Sequence, residues 1–115
     1  MLLVFCNLWI PLAMIGLGWW MASHPPGKIN RFYGYRTNRS MKNMETWHFA
    51  QVYSGKLWFR MGIVILLVSL AVQIPFLHDA GMLSTLSLAL VFCQLACLVF
   101  SIVIVEKALK KEFGD

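Results

Sequence analysis

Acidic residues are scarce in this chain, with five Asp and Glu among 115 residues against ten Lys and Arg. None of the five falls within a long apolar run, and a proton-coupled exporter needs an ionisable group inside the bilayer. That class is therefore disfavoured. No HExxH, glycine-rich phosphate loop, paired carboxylate or Ser-His-Asp grouping occurs, so the chain reads as no enzyme and no cofactor is expected. Cys6, Cys93 and Cys97 make neither a CxxC pair nor a metal-ligand spacing and read as small apolar packing residues. His24, His48 and His78 do not converge either, since His78 falls on the opposite side from the other two. No metal site is expected.

Charge of either sign is missing from residues 1–22 and 83–105, and residues 57–77 carry only Arg60, close to their start. A helix crossing about 30 Å of hydrocarbon needs roughly 20 mainly apolar residues. With a hydrophobic fraction of 59% and a mean hydropathy of +0.67, the chain reads as an all-α membrane protein. Its single domain, 1–115, has three transmembrane helices at about 1–22, 57–77 and 83–105 and a polar loop at 23–56. The first run has no basic n-region and exceeds the 7–15 residue core of a signal peptide, so it reads as a retained span.

Seven basic residues (Lys28, Arg31, Arg36, Arg39, Lys42, Lys56, Arg60) face one acid, Glu45, between residues 23 and 60. Lys107, Lys110 and Lys111 follow the third run, whereas the turn at 78–82 has Asp79 and no Lys or Arg. Basic residues gather on the cytoplasmic side. The loop and the C-terminus are thus expected inside and the N-terminus outside, as an odd number of spans requires. This distribution speaks for membrane lipids rather than direct nucleic-acid binding.

Pro11 is expected to kink the first span, because a mid-helix proline loses a backbone hydrogen bond. Trp19 and Trp20 mark its inner end, and His24-Pro25-Pro26-Gly27 stops it. Ser40 reads as the N-cap of a short amphipathic helix starting at Met41, with Met41, Met44, Trp47 and Val52 at helical spacing. This helix either lies on the membrane face or continues into the second span. Asn7, Gln73 and Gln94 are neutral and read as interhelical hydrogen-bonding groups. Thr85, Ala89, Cys93, Cys97 and Ser101 form a small-residue stripe suited to close helix packing, against the other spans or in a homo-oligomer.

The chemistry concentrates in Gly34-Tyr35-Arg36-Thr37. A guanidinium with five donors beside a turn glycine and an aromatic ring suits a carboxylate, a phosphate or backbone carbonyls. It equally suits anchoring to lipid phosphate, or pairing with Glu45.

Asn30, Gly34-Tyr35-Arg36-Thr37, Ser40-Met41-Lys42-Asn43, Trp47 and Ala50-Gln51, directly before a span, resemble the signature of the SdpI family. These are bacterial immunity proteins against a secreted killing peptide of the sporulation-delay type. The resemblance extends over essentially the whole chain and corresponds to a minimal three-span form. The family's founding member carries an additional membrane half, and Gln51 stands where many members have Asn. The resemblance implies a multi-pass protein of the bacterial plasma membrane that neutralises a toxic peptide. It also implies a sensor role, in which a cytoplasmic repressor protein is held at the membrane. The binding residues it implies are Asn30, Gly34, Tyr35, Arg36, Thr37, Ser40, Asn43, Trp47 and Gln51. The alternatives are a membrane-anchored signalling adaptor without immunity activity and, less favoured, a small transporter subunit.

Overall fold

The computed structural model describes residues 2–29 and 34–114. They form three helices, α1 (Leu2–Ser23), α2 (Met44–Gln73) and α3 (Ala80–Phe113), with a 3-10 turn at Ile74–Phe76. No strand occurs among the described residues. The fold is all-α, and α2 and α3 are each long and apolar enough to cross a membrane. Their 30 and 34 residues extend about 45 and 51 Å at 1.5 Å per residue. The surplus over a hydrocarbon core of about 30 Å lies at one end, where the polar start of α2 meets the basic end of α3.

The helix boundaries differ from the sequence expectation in two places. No separate amphipathic helix precedes the second span: the segment from Met44 runs unbroken into it, since no proline or cap interrupts the chain before Gln73. Asn43, not Ser40, is the N-cap, closing a capping box with Thr46. The third helix continues past residue 105 to Phe113, with Lys110 and Lys111 in its last turn, where cations complement the exposed carbonyls.

Polarity is distributed inside out. Leu17, Val64, Leu67, Leu88, Phe92 and Val99 are exposed, whereas Asn7, Ser69, Gln73, Ser87, Gln94 and Ser101 are buried. Such a surface suits lipid as the solvent, and lipid offers no hydrogen bonds, so every backbone polar group must be satisfied from within the protein. Pro11 lies inside α1 and brings no N–H, which leaves the Asn7 carbonyl without its helical donor. Gln94 of α3 supplies the replacement, its Nε2 donating to Asn7 O at 2.9 Å and to Ser69 Oγ of α2 at 3.1 Å. The Asn7 side chain donates to Gln73 Oε1 at 2.7 Å and to Ser87 Oγ at 2.9 Å. In return Gln73 Nε2 donates to Asn7 Oδ1 at 2.9 Å. One polar layer therefore ties all three helices, and the interhelical role expected for Asn7, Gln73 and Gln94 holds.

Nearer the polar end, α1 and α2 touch backbone to backbone. A Cβ on Gly55 would sit 2.6 Å from Ala22 N and 2.7 Å from Gly18 O, so only glycine permits this approach. The small-residue stripe of α3 is divided. Ser101 is buried and accepts from Trp58 Nε1 at 3.0 Å, while Thr85, Ala89 and Cys93 face outward. Cys93 is thus a surface residue rather than a packing one.

Gln94→Leu is expected to lower the stability of the detergent-solubilised protein by about 1–3 kcal/mol, the cost of an unpaired buried acceptor. Adding Pro11→Ala, which returns a helical N–H to the Asn7 carbonyl, is expected to recover part of that loss. Strictly additive effects in a denaturation cycle would show that the two residues do not serve the same carbonyl.

Candidate functional site

The polar segment between α1 and α2 is folded by side chains that complete its backbone. Gly34 adopts φ +99, a left-handed conformation that side chains disfavour. A Cβ there would also meet Gln51 Oε1 at 2.5 Å. That contact matters because Gln51 Oε1 accepts from Tyr35 N at 2.7 Å, while Gln51 Nε2 donates to Tyr35 O at 2.7 Å. The Gln51 amide thus pairs with one residue's N–H and C=O as a neighbouring strand would. Gln51 is fully buried on α2, so its amide holds Tyr35 against that helix.

Tyr35 then reaches across to α3. Its hydroxyl donates to Glu106 Oε1 at 2.8 Å, with Ile102 O at 3.3 Å. The second oxygen of the same carboxylate holds Arg39 Nε at 3.1 Å. Burial, and next the bond to Glu106, push the Tyr35 phenol well above its usual range, so it stays a neutral donor at any pH a cell meets. Around it lie Met21, Ala50, Val105 and Leu109, so the site joins all three helices.

The rest of the segment is a chain of local caps. Ser40 Oγ accepts from Thr37 N at 2.8 Å and lies 3.1 Å from Tyr35 O. This turn occupies the hydroxyl that would otherwise have capped a helix at Met41, which is why the cap passes to Asn43. Thr46 Oγ1 contacts Ser40 O at 3.1 Å, and Trp47 Nε1 donates to Pro26 O at 2.9 Å, anchoring the chain as it leaves α1.

The predicted residues divide by position. Tyr35, Ser40, Trp47 and Gln51 are buried in this knot, with Gly34 at its turn and Thr37 half-buried. Arg36 and Asn43 are exposed. Asn30 lies outside the described residues. Two features were not read from the sequence. Glu106 is separated from Tyr35 by 71 positions, with no local signal to connect them. A groove of about 770 Å³ runs beside the knot, along Met44, His48, Phe49, Val52 and Tyr53 of α2 and Phe113 of α3. Of the helical stripe read from the sequence, only Met44 and Val52 line it, while Trp47 turns inward and is fully buried.

The SdpI/YfhL protein family matches residues 27–105, the stretch that holds the knot, α2 and most of α3. The chain belongs to this family. It is also 49% identical over 41 residues to the uncharacterized protein YfhL of Bacillus subtilis (strain 168), a match covering 36% of this chain and 37% of that protein. The chain therefore aligns with little more than a third of the length of that curated relative. No solved structure matches.

Gln51→Leu is expected to release the knot while leaving the helices formed, because it strips a buried N–H of its acceptor at about 1–3 kcal/mol. Amide exchange at Tyr35 and tryptic cleavage after Arg36 or Arg39 should both accelerate, and Gly34→Ala should behave alike. Unchanged protection of the Tyr35 amide in Gln51→Leu would mean that the amide pairing does not hold the turn.

Proposed function

We propose that this SdpI-family protein is a membrane immunity protein that neutralises a secreted toxic peptide. Family membership supports the reading, and the observation that carries it is the knot, which holds an exposed Arg36 on a turn fixed by buried hydrogen bonds. A guanidinium presented from a rigid support loses little freedom on binding a carboxylate or a run of carbonyls. The apolar groove beside the knot gives such a peptide a surface for its nonpolar residues.

In this reading the chain is one membrane domain of three spans in the bacterial plasma membrane. The 22 residues of α1, about 33 Å at 1.5 Å per residue, form the third. The basic loop and basic tail lie at one end of the bundle, joined through Tyr35 and Glu106, which supports a cytoplasmic placement for both. The N-terminus is then outside, and a toxin reaches the knot through the bilayer. A second reading, a signalling adaptor that holds a cytoplasmic repressor with or without immunity, draws on the same end, where Arg36, Lys42, Lys107 and Lys111 are all exposed.

Survival of toxin-sensitive cells expressing the wild type or Arg36→Ala at equal membrane abundance tests the proposal. The Arg36 side chain makes neither of the Gln51–Tyr35 hydrogen bonds, so its removal leaves that pairing in place. Protection by the wild type is expected to fall at least tenfold in the variant. Equal protection by both would move the site away from Arg36. No protection by either would sink the immunity reading in favour of the adaptor, for which a soluble partner should co-purify.

A further inference from the structure

The groove beside the knot ends in two charges of opposite sign. On α2, Glu45, Phe49, Val52 and Lys56 follow at steps of four, three and four residues, which sets them in a line along one face. Trp47, Ala50 and Ser54 take the opposite face and are buried, so the core leaves this line uncovered. Phe113 of α3 closes one side, its ring 5.5 Å from that of Phe49. Between its ends the groove of about 770 Å³ is apolar save for His48 and the Tyr53 hydroxyl. Glu45 and Lys56, about 17 Å apart along the helix, are both exposed. Neither makes an ion pair or hydrogen bond among the described residues. Depth decides between lipid and peptide as the occupant. With α2 across the membrane, its apolar run begins at Leu57. The line from Lys56 to Glu45 therefore projects about 17 Å from the hydrocarbon, through an interfacial layer only about 5–8 Å thick. More than half of it stands in water, where acyl chains do not reach. A large apolar surface facing water marks a site for a protein or peptide, and a groove along helices suits an apolar helical segment laid into it.

We propose that the groove takes a helical peptide segment that is apolar along one face and carries an acidic and a basic group about three turns apart. The acid pairs with Lys56 and the base with Glu45. The inference rests on the reading of this protein as one that binds a toxic peptide, and it specifies that peptide's chemistry. The basic loop and tail alone would favour a uniformly anionic partner, whereas the groove selects a bipolar one. Opposite charges at a fixed spacing also set the register of the bound segment.

The test uses the full chain in phospholipid nanodiscs and three labelled peptides of about 14 residues, acetylated and amidated at their ends. Their leucine- and alanine-based sequences are identical except at two positions about 11 apart, which hold Asp and Lys, Lys twice, or Asp twice. In anisotropy titrations, with empty nanodiscs as the blank, the wild type is expected to bind the Asp/Lys peptide roughly fivefold more tightly than either of the others. Lys56→Glu should transfer the preference to the Lys/Lys peptide, and Glu45→Lys to the Asp/Asp peptide. Both positions are exposed, so the fold tolerates these changes. Val52→Asn, midway along the line, should weaken the binding of all three. Tightest binding of the Asp/Asp peptide by the wild type would show attraction to the basic end as a whole and overturn the proposal. Equal binding of the three, no binding, or preferences that both charge variants leave unchanged would overturn it as well. The survival assay is read separately: the expected preferences alongside absent protection would sink the immunity reading and still support this assignment of the groove.

Discussion

Hydrocarbon offers no hydrogen bonds, and most of the architecture follows from how this chain meets that constraint. Pro11 opens a gap in the backbone pairing of α1, and the surrounding medium cannot fill it. Gln94 of α3 does so, and its side chain also reaches Ser69 of α2. A defect in one helix thus becomes the point at which three helices meet. The reciprocal amide pair of Asn7 and Gln73 completes the same layer. Neutral amides serve this role because each offers both a donor and an acceptor without the desolvation penalty of a charge.

The same device recurs at the polar end in another setting. Gln51 pairs with the N–H and C=O of Tyr35, giving an irregular segment the closure that a sheet would provide. The carboxylate of Glu106 then engages Tyr35 and Arg39 from the opposite helix. In both places a side-chain amide finishes backbone that regular structure left unfinished. The two centres lie towards opposite ends of α2, and the close contact around Gly55 holds α1 along that helix between them.

The sequence was most legible where physics acts locally. Uncharged runs gave the helices, and neutral amides inside them gave the interhelical bonds. The polar insert with its signature residues gave the family. It was least legible where a residue's partner is distant. Ser40 carries a good cap side chain, but whether its hydroxyl caps a helix or closes a turn depends on Thr37 and Tyr35 folding back. Glu106 has no local sequence signal, and only the packing of α3 against the knot gives it two partners. The continuity of α2 was undecided because amphipathic periodicity at its start and apolar composition further on are both compatible with one helix.

The division between buried and exposed residues bears on why the signature was recognisable at all. Tyr35, Ser40, Trp47 and Gln51 are buried, and each makes a hydrogen bond that another residue type would lose. Their spacing is therefore dictated by folding, whatever the turn above them binds. The matched residues 27–105 contain the whole Gln51–Tyr35 closure, but they leave out Asn7 and Pro11 of α1 and Glu106 of α3. The closure is thus internal to the matched segment, while the membrane layer and the carboxylate latch draw on helices that extend beyond it. Arg36 differs from its neighbours in kind. It is exposed on a scaffold that buries the residues beside it, and no bond of the Gln51–Tyr35 closure depends on its side chain. Within the Gly34–Thr37 turn, the closure explains Gly34 and Tyr35, and Arg36 lies at the surface beside them.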